Sequence, residues 1–442
     1  MPAPSSRAAG RQVTNWLGNV VFTPSAYYEP EDEAAVVALV LKARQHGKRL
    51  RVIGGGHSWS AGCETDGYLL SLDRMKRLLS VDRARNQVTV QAGIRLHALS
   101  AELHRLGLAM QNLGSIQEQS IAGAIATGTH GTGLQFGILA TQVVGLRLVT
   151  GRGEVREISP GSDAGLLDAA RVSLGALGVI TQVTLQAAPA FNLREERTPL
   201  PFADALALVP SRLSEADHIK LWWFPHAQLV QVYRQHKTQD PHSPPSLLRS
   251  LLREDTPWAQ HAFRALLAMG SAFPELIPPL HRVISKLQFT RLSRVGPSFQ
   301  VFSLTVPPRH YESEYAVPLD AAAAAITALA ELIERRRHRV HFILEFRFVR
   351  RDTAWLSPAY EQDVCFIGAY DANRRGWPRF LADYEELMQK YNGRPHWGKE
   401  FNLDADRLRQ LYPRWDDFRR LRQELDPDGV FLNKLLSQLL LA

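Results

Sequence analysis

Three runs of glycine and other small residues sit at the ends of strand-like segments, and they constrain this chain more than any other feature. They are Gly54-Gly55-Gly56-His57-Ser58 after Ile53, the stretch from Ser120 to Gly133, and Gly175-Ala176-Leu177-Gly178-Val179-Ile180. Glycine takes positive φ at no steric cost and lets a backbone come close to a ligand. Successive bare N–H groups then form a nest for an anion such as a pyrophosphate. One such loop is an ordinary tight turn. Three in one region, two of them with a histidine, point to a bound dinucleotide. None reads G-x-G-x-x-G and none reads G-x-x-x-x-G-K-[ST], which disfavours both a Rossmann site and a P-loop.

The segments around these loops alternate between helix and strand. Glu31–His46 has apolar residues at helical spacing, acids in its first turn and Gly47 at its end, and Ile94–Leu106 is a second helix stopped by Gly107. Strands are expected at Arg49–Ile53, Tyr68–Leu72, Gln87–Ala92, Val143–Val149, Val155–Ile158 and Val179–Gln186. The texture changes near residue 190. Phe191–Pro201 carries prolines and charges and reads as a boundary. Pro241–Pro245 reads as a loop, Leu247–Leu287 as mainly helical, Pro318–Arg337 as a strong helix, and His341–Val349 as a strand with large residues on both faces. From about Arg394 the chain returns to tight turns and short helices. No repeat of solenoid or propeller length is visible.

A length of 442 residues suggests roughly two to four domains. No apolar run reaches the ~18–20 residues of a membrane span, and Met1–Gln12 lacks the apolar core of a secretory signal. Two cysteines, Cys63 and Cys365, exclude a disulfide scaffold or a cysteine-rich zinc site. The expected compartment is the cytoplasm, with peripheral membrane contact left open. The net charge is +8. Two basic clusters carry it: Arg44, His46, Lys48, Arg49 and Arg51, then Arg335, Arg336, Arg337, His338 and Arg339. Both follow helix-like segments, where cations complement the helix dipole, so no nucleic-acid partner is expected. His57 and His130 have no partner at metal-ligand spacing, and no metal is expected.

Glu345-Phe346-Arg347 lies inside an apolar strand. Positions i and i+2 share a face, so the carboxylate and guanidinium emerge side by side. The residues alone allow either a salt bridge at the sheet surface or a functional pair. His396-Trp397-Gly398-Lys399 is a second polar group, unremarkable in isolation.

Taken together, these motifs resemble the vanillyl-alcohol oxidase superfamily of flavoenzymes with a PCMH-type FAD domain, and within it the L-gulono-1,4-lactone oxidase/aldonolactone oxidase group. The resemblance runs in order through Gly54–Ser58, Asn112-Leu113-Gly114-Ser115, Ala126-Thr127-Gly128-Thr129-His130, Gly137–Val144, Trp223-Phe224-Pro225-His226, Gly393–Lys399 and Asp426–Asn433. It implies an α+β fold of two domains. A non-Rossmann FAD domain would cover 1–190, an antiparallel-sheet substrate domain with helices 191–394, and a C-terminal return to the FAD domain and active site 395–442. It implies FAD bound covalently through His57 at the flavin 8α position. Gly54, Gly55, Gly56, Ser58, Gly114, Ser120, Gly123, Thr127, Gly128, Thr129, His130 and Ile180 would line the cofactor.

On the substrate side the resemblance implies that Ser115, Glu345, Arg347, His396 and Lys399 contact the sugar, with Glu345, Arg347 and Lys399 catalytic. Glu345 would be the base or a proton-relay partner. Arg347 would orient hydroxyls and stabilise developing negative charge. The implied reaction moves hydride from the ring carbon-2 alcohol of an L-gulono-1,4-lactone-like substrate to flavin N5, and dioxygen leaves as hydrogen peroxide. Gly114 matches the position that controls oxygen access; relatives acting as dehydrogenases carry alanine there. The closest rival is an alditol oxidase acting on xylitol- or sorbitol-like polyols, whose extra histidine and threonine fall here on Ile367 and Ala369. Gly398 favours that rival, since lactone oxidases often have alanine there. A lactone dehydrogenase with a non-oxygen acceptor, or a flavin-free binding protein using the basic clusters, are further rivals. Oligomeric state is not legible.

Overall fold

The computed structural model describes residues 6–7, 10–243, 256–304, 308–372 and 374–441. Its first half follows the alternation in the sequence closely. Strand β1 (Ala26–Tyr28) precedes helix α1 (Glu33–Gln45). Asp32 caps α1 by accepting from the Ala35 amide at 2.8 Å, Glu33 lies in the first turn, and Lys42 and Arg44 lie in the last. Strands β2 (Leu50–Ile53) and β3 (Tyr68–Ser71) pair in parallel, and β1 adds parallel to β3. A second, antiparallel sheet follows, with β4 (Leu78–Asp82), β5 (Gln87–Gln91), β6 (Val143–Val149), β7 (Val155–Ile158) and β8 (Val179–Gln186) in the order β7-β6-β8-β5-β4. Helices α2 (Leu96–Arg105), α3 (Ile121–Ala126) and α4 (Pro160–Arg171) pack around it. Val36, Leu39, Val40 and Ala43 of α1 are fully buried, one apolar stripe of the kind that drives such docking.

The second half is built on one antiparallel sheet of eight strands. Its members in chain order are β9 (Asn192–Pro201), β10 (His218–Trp223), β11 (Leu229–Thr238), β12 (Leu292–Pro297), β13 (Tyr311–Pro318), β14 (Leu344–Val349), β15 (Val364–Asp371) and β16 (Arg394–Pro395). Across the sheet they run β12-β9-β11-β10-β14-β15-β13-β16. The stretch 191–201, expected as a boundary, is thus mostly a ten-residue strand. Its prolines are accommodated because β12 pairs only with Asn192–Arg197, leaving one edge of Pro199 and Pro201 free. The expected helical stretch 247–287 begins outside the described residues, as do Pro244 and Pro245 of the preceding loop. Within the described residues it forms α5 (Pro257–Ala272) and α6 (Ile277–Gln288), divided at Pro274. Helices α7 (Ala322–Arg335) and α8 (Trp377–Lys390) pack on the sheet. The C-terminal segment adds α9 (Ala405–Leu411), α10 (Trp415–Leu425) and α11 (Lys434–Leu440). Among the described residues no helix is long and apolar enough to cross a membrane.

The two faces of the large sheet differ sharply. One carries Ile219, Leu221, Leu344, Phe346, Phe348, Cys365, Ile367, Tyr315 and Val317, all essentially inaccessible. The strand register puts Glu195, Lys220, Trp222, Glu345, Arg347, Tyr370, Glu312 and Glu314 on the other. Apart from the partly buried Trp222 and Tyr370, these are also buried. The second face meets the first half of the chain: His218 Nδ1 lies 2.8 Å from the Thr132 carbonyl, and the Gly133 amide donates to the Phe348 carbonyl at 2.6 Å.

Candidate active site

A trough runs along the glycine loops. Gly54, Gly55, Gly56, His57, Ser58, Ser120, Gly123, Thr127 and Ile180 all line it. So do Gly175 and Gly178 of the third small-residue run and, from the far C-terminus, Phe431, Leu435 and Leu439. The loops touch so closely that side chains are excluded. A Cβ on Gly55 would lie 2.5 Å from the Glu118 carbonyl, and one on Gly54 2.2 Å from Ser120 Oγ. This bare backbone beside an apolar wall suits a dinucleotide with a flat ring system, so the residues present fit FAD.

Arg51 was expected in a basic cluster complementing a helix end. Within the expected strand it is instead buried and lines the trough, because β2 turns it inward. Its guanidinium donates to the carbonyls of Gly62, Leu174, Gly175 and Phe431 at 2.7–3.2 Å. Burial lowers its pKa to about 10. It ties three trough-forming segments together.

His57 stacks on Trp16, with ring centroids 5.7 Å apart. Burial, reinforced by the nearby charges of Lys399 and Arg95 and opposed by Glu118, lowers its pKa. The imidazole is therefore biased toward its neutral form, the one with a free lone pair.

Gly114, Ser115, Gly128, Thr129 and His130 are not among the trough-lining residues. Gly128, at φ +72°, turns the chain out of α3, and the segment beyond it reaches the large sheet. Thr129 accepts from Gln119 Nε2 at 3.0 Å. A Cβ on Gly114 would meet the His130 carbonyl at 3.2 Å and Thr129 Cγ2 at 3.3 Å.

On the sheet, Arg347 Nη2 donates to Glu345 Oε1 at 2.9 Å and to Ser115 Oγ at 2.5 Å. The pair is buried, 6% and 7% exposed, so it is not a surface salt bridge. Trp222 Nε1 donates to Glu345 Oε1 at 2.7 Å, the Tyr370 hydroxyl to Oε2 at 3.2 Å, and Lys220 Nζ stands 3.3 Å from Oε1. Burial opposes the Glu345 charge, yet Arg347 and Lys220 outweigh it and hold the carboxyl well below its ordinary range. Arg347 Nε is buried with no acceptor among the described residues. A buried donor left open beside the Glu345 pair is a candidate ligand position, as are the open Gln231 side-chain atoms on the same face.

Lys399 Nζ lies 2.5 Å from Glu312 Oε2 and 4.0 Å from the Trp59 ring centroid. Its loop is tied to the one after His57, with Trp59 N donating to Gly398 O at 2.7 Å and Ser60 Oγ to Trp397 O at 2.8 Å. The lysine thus joins the trough to the sheet.

His130, Glu314 and His396 form a buried trio whose ligating atoms lie within 4.8 Å of one another, a grouping that sequence spacing did not reveal. His396 Nδ1 accepts the Gly398 amide at 3.0 Å, which places the ring proton on Nε2. His130 stacks on Phe366 at 3.5 Å and points Nε2 at Glu314 Oε1, 3.3 Å away. Burial raises the Glu314 pKa, but the His130 charge and hydrogen bond bring it to about 2.

Lys220, Trp222, Glu312, Glu314 and Tyr370 were not singled out from sequence. The signal was there for two strands: Lys220-x-Trp222 and Glu312-x-Glu314 repeat the period-two spacing of Glu345-x-Arg347. The expected alignment of β15 needs correction. Glu345 pairs with Gly368 and Phe346 with Ile367, so Ile367 and Ala369 face away from the site, and Phe366, Gly368 and Tyr370 face it.

Comparison with known proteins bears on the family and the fold. The D-arabinono-1,4-lactone oxidase family matches residues 183–439, and an FAD binding domain matches residues 24–159. The L-gulono-1,4-lactone dehydrogenase of Mycobacterium tuberculosis H37Rv is 35% identical over 427 residues, covering 97% of this chain and 98% of that one. The L-gulonolactone oxidase of Mus musculus is 35% identical over 436 residues, with the same coverage. A solved cholesterol oxidase from B. sterolicum shares the fold, with a TM-score of 0.82 at 18% identity over 97% of this chain and 96% of that one.

Proposed function

We propose, from the premise that this chain belongs to the D-arabinono-1,4-lactone oxidase family of FAD-dependent oxidoreductases, that it oxidises an L-gulono-1,4-lactone-like aldonolactone at the ring carbon-2 alcohol with dioxygen as acceptor. The observation that carries the substrate side is the buried Arg347, paired with Glu345 and Ser115 while its Nε–H has no acceptor among the described residues. A polyhydroxylated ring supplies such an acceptor, and a purely apolar ligand does not. When bound, FAD supplies a hydride acceptor at N5 and a route for two electrons to dioxygen, which leaves as hydrogen peroxide.

The chain's own groups do the rest. The trough glycines bring bare amides to the cofactor, and His57 is the attachment point at the 8α position. Ser115 and Arg347 orient the substrate oxygens, and Arg347 stabilises negative charge as it develops on the carbon-2 oxygen. Glu345 Oε2 accepts the hydrogen bond of the reacting hydroxyl and relays its proton to solvent as hydride leaves carbon 2. Lys399, between trough and sheet, places a positive charge near the reacting oxygens, and His396 frames them. Residues 1–190 and 395–442 serve the cofactor side and 191–394 the substrate side.

A second reading differs only in the electron acceptor. It is favoured by the mycobacterial relative, which is named a dehydrogenase; Gly114 favours dioxygen. The test is hydrogen peroxide release in air with L-gulono-1,4-lactone and xylitol in parallel. Faster turnover of the lactone is expected. Faster turnover of xylitol overturns the substrate class, and lactone oxidation that needs an added dye overturns the acceptor.

A further inference from the structure

Glu345 is held unevenly. Its Oε1 takes Trp222 Nε1 at 2.7 Å and Arg347 Nη2 at 2.9 Å, with Lys220 Nζ at 3.3 Å, while Oε2 has the longer 3.2 Å bond from Tyr370. Lys220 is the outermost of the three groups on Oε1. It projects from the neighbouring strand, where its backbone pairs with Arg347 and that of Trp222 with Glu345. Its ammonium is packed between rings, 4.7 Å from the Trp222 centroid and 5.0 Å from that of Tyr233.

Among the described residues, Glu345 is the one carboxylate within ion-pair distance of Lys220. The nearby buried carboxylate, Glu195, already has Arg197 at 3.0 Å, Arg294 at 2.9 Å and Gln235 at 2.8 Å. A methionine would fill the space between the rings without the several kcal/mol that burying a charge costs. The charge therefore does something that packing does not.

We propose that Lys220 is a positioning residue of the active site, whose ammonium fixes Oε1 of Glu345 so that Oε2 is presented to the substrate hydroxyl. The inference rests on the role given to Glu345 above.

A pH signature follows. Burial lowers the Lys220 pKa to about 8, with Glu345 opposing the shift and Arg347 adding to it. The ammonium is present below that value and lost as pH rises through it. The groups facing it from the packed strands are Glu195, Arg197, Tyr233, Arg294, Glu345, Arg347 and Tyr370, with Glu314 further along the face. Glu195, despite burial, is held at about 2 by Arg294 and Arg197, and burial pushes Tyr370 well above its ordinary value. Neither titrates near pH 8. Activity should fall as pH rises through about 8, and an arginine at 220, which stays charged, should remove that fall.

The test measures kcat and KM for L-gulono-1,4-lactone across roughly pH 6–10 in flavin-loaded wild type, Lys220→Met and Lys220→Arg. Lys220→Met should lose kcat by roughly 10- to 100-fold with KM little changed. Lys220→Arg should recover most of that loss and stay active above the pH at which wild type declines. A Lys220→Met enzyme with wild-type kcat and pH profile overturns the inference. So does a Lys220→Arg enzyme that keeps the wild-type decline. If Lys220→Met does not fold, the Lys220→Arg profile decides alone. A wild type inert toward lactones would sink the functional reading instead, which keeps the two failures apart.

Discussion

The trough and the sheet face beside it are built by opposite means. The trough is made by leaving side chains out: even a methyl group on Gly55 would lie 2.5 Å from the Glu118 carbonyl. The sheet face is made by putting charges in, with Glu195, Lys220, Glu345, Arg347, Glu312 and Glu314 all buried on one side. On the reading proposed above, bare backbone lets the cofactor lie against the loops, and the His57 linkage keeps it there. On the same reading, compensated charges serve a substrate that comes and goes, because the donors are aimed before it arrives. Damage should therefore differ in kind, with lost cofactor on one side and lost turnover on the other.

The largest expected effect is on the sheet. Arg347→Met strips Glu345 of its closest cation, and kcat/KM for the lactone should fall by about 10²–10³-fold while the protein stays yellow. Steady-state kinetics beside a visible spectrum check this; parallel loss of flavin and activity would erase the contrast between the regions. Next is Gly55→Ala. Its Cβ meets backbone, which cannot swing aside, so stability should drop by about 1–3 kcal/mol and the flavin-to-protein absorbance ratio should fall. Full flavin occupancy in that variant would show that the trough tolerates side chains after all. The smallest effect is at Gly114, between the regions. A Cβ there needs its neighbours to give by a few tenths of an ångström. Gly114→Ala should slow turnover with dioxygen more than turnover with an artificial acceptor, and equal slowing of both would make it a packing position.

The same contrast explains what could be read from sequence. Glycine runs are local, so the trough was legible at Gly54–Ser58, Ser120–Thr127 and Gly175–Ile180. Arg51 was misread because its four carbonyl partners are scattered from Gly62 to Phe431, and nothing local marks an arginine that braces a loop. The charged face was legible in only one strand. Glu345 and Arg347 stood out as a pair. Lys220, Tyr370 and Glu314 come from other strands, and only the pairing register places them together. A one-residue slip moves a side chain to the opposite face, which is what happened with Ile367 and Ala369. Pro199 and Pro201 suggested a break, but a strand whose edge is free beyond Arg197 admits prolines.

The measurement that tests the account most directly separates the substrate from the oxidant. Purified, flavin-loaded protein is mixed with L-gulono-1,4-lactone without oxygen, and the yellow absorbance is followed. The account predicts rapid bleaching in wild type and slow bleaching in Arg347→Met. A wild-type flavin that stays yellow with the lactone but bleaches with xylitol would contradict it.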